Sequence, residues 1–400
     1  MTSAEASTTV RAGTDGAARL CALSIRDFRN LPHVELAPPE AGLVIVGENG
    51  QGKTNLLEAI YYLELVRSVR GARDQDLVRF GAPGFHIAAR VESDRAREIA
   101  VGFERAGRRK RVRLDGVVCE RLSDAVGALP VVMFSPADVE LIAGSPAARR
   151  RYVDILLAVT SRAYLNALQR YRSALAHRNA ALRDAARRSG GRVRWGVPGD
   201  ARIAVWEALL AEHGAVLWTE RRAWTERVAA RFQLLCRAIG ESGPVMLRYA
   251  SALPAGVDAS SAREALAAQL EQQRAVDVRR GVTSAGPHRD DLVVTLDGRD
   301  LRIFGSAGQQ RTAAIALRLL ESETLRERRG GAPLFLLDDP FAELDARRSA
   351  RIVEMLADTG IGQTVLAVPR ASDIPSGGGL PRLERQRIVA GELHPMGTRD

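Results

Sequence analysis

Apolar positions along this chain change period several times, and each change marks an element. Over 20–35 apolar and polar residues alternate through Leu23, Ile25 and Phe28, the period of a strand with one covered face. Leu43-Val44-Ile45-Val46 is apolar throughout and predicts a short buried strand, and Asn55-Leu56-Leu57-Glu58-Ala59-Ile60 predicts a helix running to about Val66. Short alternating runs return over 78–122, where 98–103 and 112–114 flank a polar turn as in a β-hairpin. Pro130-Val131-Val132-Met133-Phe134 predicts a buried strand, and Ser135-Pro136-Ala137-Asp138 the cap of a new helix. From 146 to about 281 the period is helical, carried first by Tyr152, Leu156, Tyr164, Leu168 and Tyr171. After a Gly-rich break at 189–199 a second stripe runs through Trp206, Leu210, Leu217, Trp224, Val228 and Phe232, predicting a long helix over about 203–239 with its tryptophans in the packing core. No sustained heptad accompanies these stripes, so a compact helical lobe is expected rather than an extended coiled coil. Strands are predicted again at 292–296 and 301–304 around the turn Asp297-Gly298, and finally at 333–337 and 365–368.

The sharpest local signal is Gly47-Glu48-Asn49-Gly50-Gln51-Gly52-Lys53-Thr54, which fits the phosphate-cradling P-loop between a predicted strand and a predicted helix. Glycines let successive N–H groups turn inward on an anion, and the following helix adds its positive end. Composition sharpens the match. The chain has two lysines, Lys53 and Lys110, against 56 arginines, and one of the two stands where a compact, flexible ammonium must reach between β- and γ-phosphates. Asn49, Gly50, Gly52, Lys53, Thr54 and Asn55 are therefore the candidate nucleotide-binding residues, and the Thr54 hydroxyl a candidate Mg²⁺ ligand. Leu334-Phe335-Leu336-Leu337-Asp338-Asp339 is an apolar strand ending in two acids, as in a Walker B element. There Asp338 would hold Mg²⁺ and Asp339 would orient or deprotonate the attacking water.

Charge and cysteine content narrow the setting. A net charge of +10 and a basic pI point to a polyanionic partner, with nucleic acid the leading candidate. The polar turn of the predicted hairpin carries Arg105, Arg108, Arg109, Lys110, Arg111 and Arg113, which either lie along a phosphate backbone or form a solvated turn. Cys21, Cys119 and Cys236 are odd in number and in no ligand spacing, which fits a reduced cytoplasmic setting. No apolar run reaches the eighteen or so residues of a membrane span, and residues 1–19 resemble a disordered leader rather than a signal peptide.

Gly305-Ser306-Ala307-Gly308-Gln309-Gln310-Arg311 opens a predicted helix and lies about thirty residues before the Walker B strand, the position of the signature loop in the ABC ATPase superfamily; Glu343-Leu344-Asp345 matches that superfamily's D-loop. Thr54 and Ser306 are 252 residues apart, far more than in transporter ATPases, and an insertion of this kind marks the chromosome-maintenance and repair branch. Ile25-Arg26-Asp27-Phe28-Arg29-Asn30, 47–60, Phe134-Ser135-Pro136, Gly144-Ser145-Pro146 with Arg150-Arg151, Gly286-Pro287-His288-Arg289-Asp290-Asp291, 306–311 and 336–345 together resemble the RecF family, in its order, over about 20–370. The resemblance implies an α/β ABC-type ATPase head with a compact helical lobe in place of a long coiled coil. Its expected parts are a leader at 1–19, head at 20–145, lobe at 146–281 and head again at 282–400. It also implies ATP and Mg²⁺ as cofactors, and an ATP-dependent homodimer in which Ser306, Gly308 and Gln309 of one protomer close on the nucleotide of the other. Arg29 is expected to approach the phosphates. The implied function is binding of gapped and single-strand/duplex junction DNA in recombinational repair and replication restart, with RecO and RecR, to help load RecA.

Several positions depart from the superfamily pattern. Asp339 stands where most ABC ATPases have Glu, which implies slow, DNA-stimulated hydrolysis, a switch rather than a pump. Pro369-Arg370 follows the last strand with no switch histidine, and Gln75 is a weak Q-loop candidate. His288 and Arg289 either touch DNA or nucleotide or, the reading preferred, form a satisfied turn. Two other classes share parts of the pattern. A transporter motor would show short spacing and a membrane-coupling surface, and a nuclease-linked ATPase a further acidic metal cluster, for which no third domain is expected here.

Overall fold

The structure, a computed structural model, describes residues 16–93, 95–188, 201–254, 256–342, 344–358, 362–375 and 383–396. The predicted leader and the Gly-rich break lie outside them. The chain forms two compact units, one of residues 1–133, 322–339 and 356–400, the other of 134–321 and 340–355.

In the first unit, among the described residues, one six-stranded antiparallel sheet runs in the order Leu31–Leu36, Arg19–Phe28, Gly84–Glu92, Ala96–Glu104, Arg109–Leu114, Val117–Val118. Its alternation is that of the sequence: Leu23, Ile25, Ile87, Val101 and Val112 are buried while Arg26, His86 and Arg111 face solvent. The single strand expected over 20–35 is instead a hairpin, turning at Arg29, which takes a left-handed φ of 57°. The alternation carried straight through that turn and concealed it. A second sheet is ordered Glu392–Pro395, Glu384–Val389, Gly42–Val46, Thr364–Val368, Leu334–Asp338, Val131–Phe134. Gly42–Val46 pairs in parallel with Thr364–Val368 on one side and Glu384–Val389 on the other. Gly42–Val46, Thr364–Val368 and Leu334–Asp338 are buried at every residue, which is why they read as unbroken apolar runs.

The second unit contains the helices Pro146–Thr160, Arg162–Arg188, Ala201–Ile239 and Ala262–Arg280. Trp224 is fully buried and Trp218 nearly so. Ion pairs are buried there as well. Arg178 bonds Asp277 at 2.7 Å and Glu207 at 2.9 Å, and Arg221 bonds Asp154 and the Pro287 carbonyl at 2.7 Å each. Two expectations fail in this unit. Val245–Ala250, read as part of the helical stretch, is a strand pairing antiparallel with Asp291–Leu296; Val245 and Leu247 point inward and Met246 outward, a period of two too short to stand out between long helices. Leu301–Phe304, expected as a strand, is a turn of helix. The Asp300 carboxylate caps it by accepting the Arg302 N–H at 2.9 Å; Leu301 is buried while Ile303 and Phe304 stay exposed, so its apolar text is only partly a buried face.

Candidate nucleotide site

The P-loop joins Gly42–Val46 to the helix Lys53–Leu65. Gly50 and Gly52 adopt φ of 83° and 117°, conformations that admit a side chain only with strain, and the Leu56 N–H closes the first helical turn on the Gly52 carbonyl at 2.9 Å. Lys53 is buried, and its ammonium donates to the carbonyls of Gly47 and, at 2.9 Å, of Glu48. Burial lowers its pKa, opposed by Asp338 and then Asp339. The Thr54 hydroxyl donates to Asp338 Oδ2 at 2.7 Å, joining the start of the helix to the end of Leu334–Asp338. Burial raises the Asp338 pKa, with Asp339 adding and Thr54, Lys53 and Arg70 opposing. Asp339 follows with φ 45°, its N–H on the Ala367 carbonyl at 2.9 Å. Lysine, threonine and two aspartates, distant in sequence, therefore meet in one place.

Arg29, at the turn between Arg19–Phe28 and Leu31–Leu36, reaches the same helix one turn further along, at Glu58. Its guanidinium grips fully buried Glu58 in bidentate fashion, both hydrogen bonds at 3.2 Å. Glu58 also accepts the Ser68 hydroxyl at 2.6 Å and lies 3.7 Å from Arg70. Thr54 and Glu58 are four residues apart and share a helix face, so Arg29 and Arg70 are held beside the face that carries Thr54. Asn55 donates to Asn30 Oδ1 at 2.8 Å, and Asn30 in turn to the Gly50 carbonyl at 3.1 Å. The loop tip is covered by the hairpin of Glu384–Val389 and Glu392–Pro395, whose turn residues Ala390 and Gly391 donate to the side-chain and main-chain oxygens of Gln51 at 2.6 and 2.9 Å. Beside the loop is a cleft of about 670 Å³, lined by Gly47, Glu48 and Asn49 and, opposite, by Arg370, Arg387 and Met396.

Glu58, Ser68, Arg70, Asn30 and Gln51 escaped the sequence reading. Asn30, Gln51 and Glu58 stood inside quoted motifs there with no role assigned, and Ser68 and Arg70 in none. Gln75 sits in the short helix Asp74–Leu77, with its carbonyl accepting from Arg105 at 3.5 Å. Lys110, expected in the basic hairpin, is pinned by Asp74 at 2.7 Å and by the Val66 carbonyl at 2.8 Å, and so serves the fold.

Ser306, Gly308 and Gln309 belong to the second unit. Ser306 and Gln309 form a reciprocal cap on the helix Ala307–Arg329: the Gln309 N–H donates to Ser306 Oγ at 3.3 Å and the Ser306 N–H to Gln309 Oε1 at 2.9 Å. A Cβ at Gly308 would come within 3.0 Å of the Arg348 guanidinium. Asp345 caps Ala346–Asp358, accepting the Arg348 N–H at 2.8 Å, whereas Glu343 lies outside the described residues. His288 bonds the Tyr171 hydroxyl at 2.7 Å and the Thr283 carbonyl at 3.0 Å, and Arg289 bonds the same carbonyl at 3.2 Å, the satisfied turn that was preferred.

The profile of the RecF/RecN/SMC N terminal domain matches residues 19–368. The DNA replication and repair protein RecF of Myxococcus xanthus is 38% identical over 361 residues, covering 88% of this chain and 91% of that protein. RecF of Chloroflexus aggregans is also 38% identical, with 93% and 98% covered. Among solved structures, the recombination mediator protein RecF-ATP of the RecFOR pathway superimposes with a TM-score of 0.85 at 29% identity, covering 96% of this chain and 99% of that one. The Smc head domain from Pyrococcus furiosus, at 16% identity and a TM-score of 0.56, shares the fold. The architecture is that of an ABC-type ATPase head.

Proposed function

The chain belongs to the RecF family, and from that membership we propose that it binds ATP·Mg²⁺ at the P-loop and uses it to gate the binding of gapped DNA by a homodimer. The observation that carries this is the convergence of Thr54 with buried Lys53 and Asp338, the Thr54 hydroxyl 2.7 Å from the carboxylate. The residues suit the nucleotide. Lys53 now donates to backbone carbonyls of its own loop, a hold that phosphate oxygens at the loop would take over. Thr54 and Asp338 supply the oxygen donors a hard cation prefers. Held by Thr54 and Asp338, Mg²⁺ would supply positive charge to neutralise the charge developing on the transferred phosphoryl group.

The chain's own groups do the rest. Lys53 binds the β- and γ-phosphates, Arg29 neutralises a further oxygen, and Asp339 orients the attacking water and takes its proton. Ser306 and Gly308 of a second protomer cap the same nucleotide with a helix N-terminus, so ATP favours the closed pair through contacts that exist only there. Closure brings two basic faces together on DNA, and hydrolysis releases them. Gapped and single-strand/duplex junctions are the proposed substrates, with RecO and RecR as partners and RecA as the protein loaded. No described helix is long and apolar enough to cross a membrane, and the cytoplasm is the proposed setting.

The test is binding to gapped DNA with and without ATP·Mg²⁺ for wild type, Lys53→Arg and Ser306→Arg, with sedimentation alongside. Binding and dimerisation should both require ATP and both fail in Ser306→Arg. Tight binding indifferent to nucleotide and to both substitutions would end the proposal.

A further inference from the structure

Phe80 is 98% exposed, the most exposed of the large apolar side chains among the described residues. It is displayed rather than dangling. The Ala82 N–H closes a turn on the Arg79 carbonyl at 3.1 Å, Gly81 takes φ 82°, and the Arg79 N–H bonds the Asp27 carbonyl at 2.8 Å. This fold forgoes the stabilisation that burying a phenylalanine brings. A lone exposed ring needs no explanation by itself, but the surroundings of this one are specific. The Arg105 N–H bonds the Pro83 carbonyl at 2.8 Å, so the basic hairpin tip lies at the same end of the antiparallel sheet as the Phe80 turn. Arg105, Arg108 and Arg109 are exposed there. Along Arg109–Leu114, Arg109, Arg111 and Arg113 share one solvent face while Val112 faces the core, and the neighbours of Arg111 and Arg113 on the next strand are Gly102 and Ala100, which leave them uncovered. Arg79 joins them, 3.6 Å from Asp27, and Arg109 stands opposite Glu104.

We propose that this end of the sheet receives the single-stranded part of a DNA substrate, with an unpaired base stacked on Phe80 and the phosphates running along Arg109, Arg111 and Arg113. The inference rests on the DNA-binding reading above and adds which surface and which part of the DNA. Cationic side chains with small neighbours suit a polyanion, and a fixed, uncovered aromatic ring suits a base face. Inside a duplex those faces are already stacked on each other, so the ring selects unpaired nucleotides.

Binding of a gapped duplex and of a blunt duplex is measured at fixed salt with ATP·Mg²⁺, the gap carrying 2-aminopurine beside the junction. Wild type, Phe80→Ala, Phe80→Trp and the triple variant Arg109→Ala/Arg111→Ala/Arg113→Ala are compared, with DNA-free ATP turnover as the control for folding. Phe80→Ala should bind the gapped probe about 5- to 150-fold more weakly, the range of one aromatic–base stack, and leave the blunt duplex and DNA-free turnover unchanged. Phe80→Trp should keep affinity and quench the 2-aminopurine. The triple variant should weaken the gapped probe more than the blunt duplex and flatten the salt dependence of gapped-probe binding. Equal effects of Phe80→Ala on both probes, or none on either, overturn the inference while the DNA-binding reading stands; so does a change in self-association without DNA, which would make the ring a protein contact. A wild type that binds neither probe fails the underlying reading instead.

Discussion

Replacing His288 by glutamine should change how the second unit responds to acid. The ring is held between the Tyr171 hydroxyl at 2.7 Å and the Thr283 carbonyl at 3.0 Å. A carbonyl only accepts, so Nε2 carries the proton and Nδ1 accepts from Tyr171. Burial pushes the imidazole pKa down to about 4, with Arg289 and Arg150 adding against the Thr283 carbonyl and Asp277. The unfolded chain takes up this proton near pH 6.5 and the folded one only near pH 4, so this contribution is fully present above pH 6.5 and is lost as pH falls through that window. At 1.36 kcal/mol per pH unit the loss is about 3 kcal/mol between pH 7 and pH 4. Glutamine cannot take up the proton, and at pH 7 it should cost only about 1 kcal/mol of hydrogen bonding. All four tryptophans lie within 134–321, so urea unfolding followed by tryptophan fluorescence reports on the unit that contains His288. Asp290, whose pKa burial raises, titrates in both proteins and cancels in the comparison. Stability curves for wild type and His288→Gln should converge or cross on acidification. Curves that stay parallel from pH 7 to pH 4 would refute the reasoning.

Other perturbations bear on the nucleotide site. Asp338→Asn should lower ATP affinity at least about tenfold in Mg²⁺ and little in EDTA, because it removes the carboxylate facing Thr54; calorimetric titration in the two buffers checks this, and equal losses in both would count against a metal role. Glu58→Gln should destabilise the first unit by about 2–3 kcal/mol, since Arg29 and Arg70 lose the charge they share; unchanged thermal unfolding would contradict that. Gly391→Ala should cost about 1–2 kcal/mol and weaken ATP binding, because a Cβ there would lie 2.2 Å from the Asn30 carbonyl at φ 87°. Wild-type affinity in that variant would show that the hairpin cover is incidental.

What could be foreseen divides along physical lines. The P-loop and the Walker B strand were legible because each is contiguous: an apolar strand and the residues at its end are adjacent in the chain as they are in space. Long helices were legible from their stripes. The turn at Arg29 was not, since two strands of like period joined by two residues look like one. Leu301–Phe304 misled because exposed and buried apolar residues are written alike, and only Asp300 and Gly305 at its ends mark it as a helix. Glu58 holding Arg29 and Arg70, and Ala390 holding Gln51, are pairings between distant segments that no local period encodes. The resemblance in sequence named the residues of the site but not the groups that hold them.

The strand order of the parallel sheet bears on how this protein is made. Gly42–Val46, which carries the P-loop, lies between Thr364–Val368 and Glu384–Val389, and the turn that fastens Gln51 follows directly at Ala390 and Gly391. A ribosome that has finished the P-loop and the whole helical region has still supplied neither neighbour of that strand. Until Thr364–Val368 and Glu384–Val389 are translated, one of the most apolar segments of the chain stays unpaired and the loop above it unsupported. On the reading proposed above, ATP binding thus becomes available only once Glu384–Val389 has been made, and a product truncated before Glu384 would be a target for chaperones and proteases rather than a partly active protein.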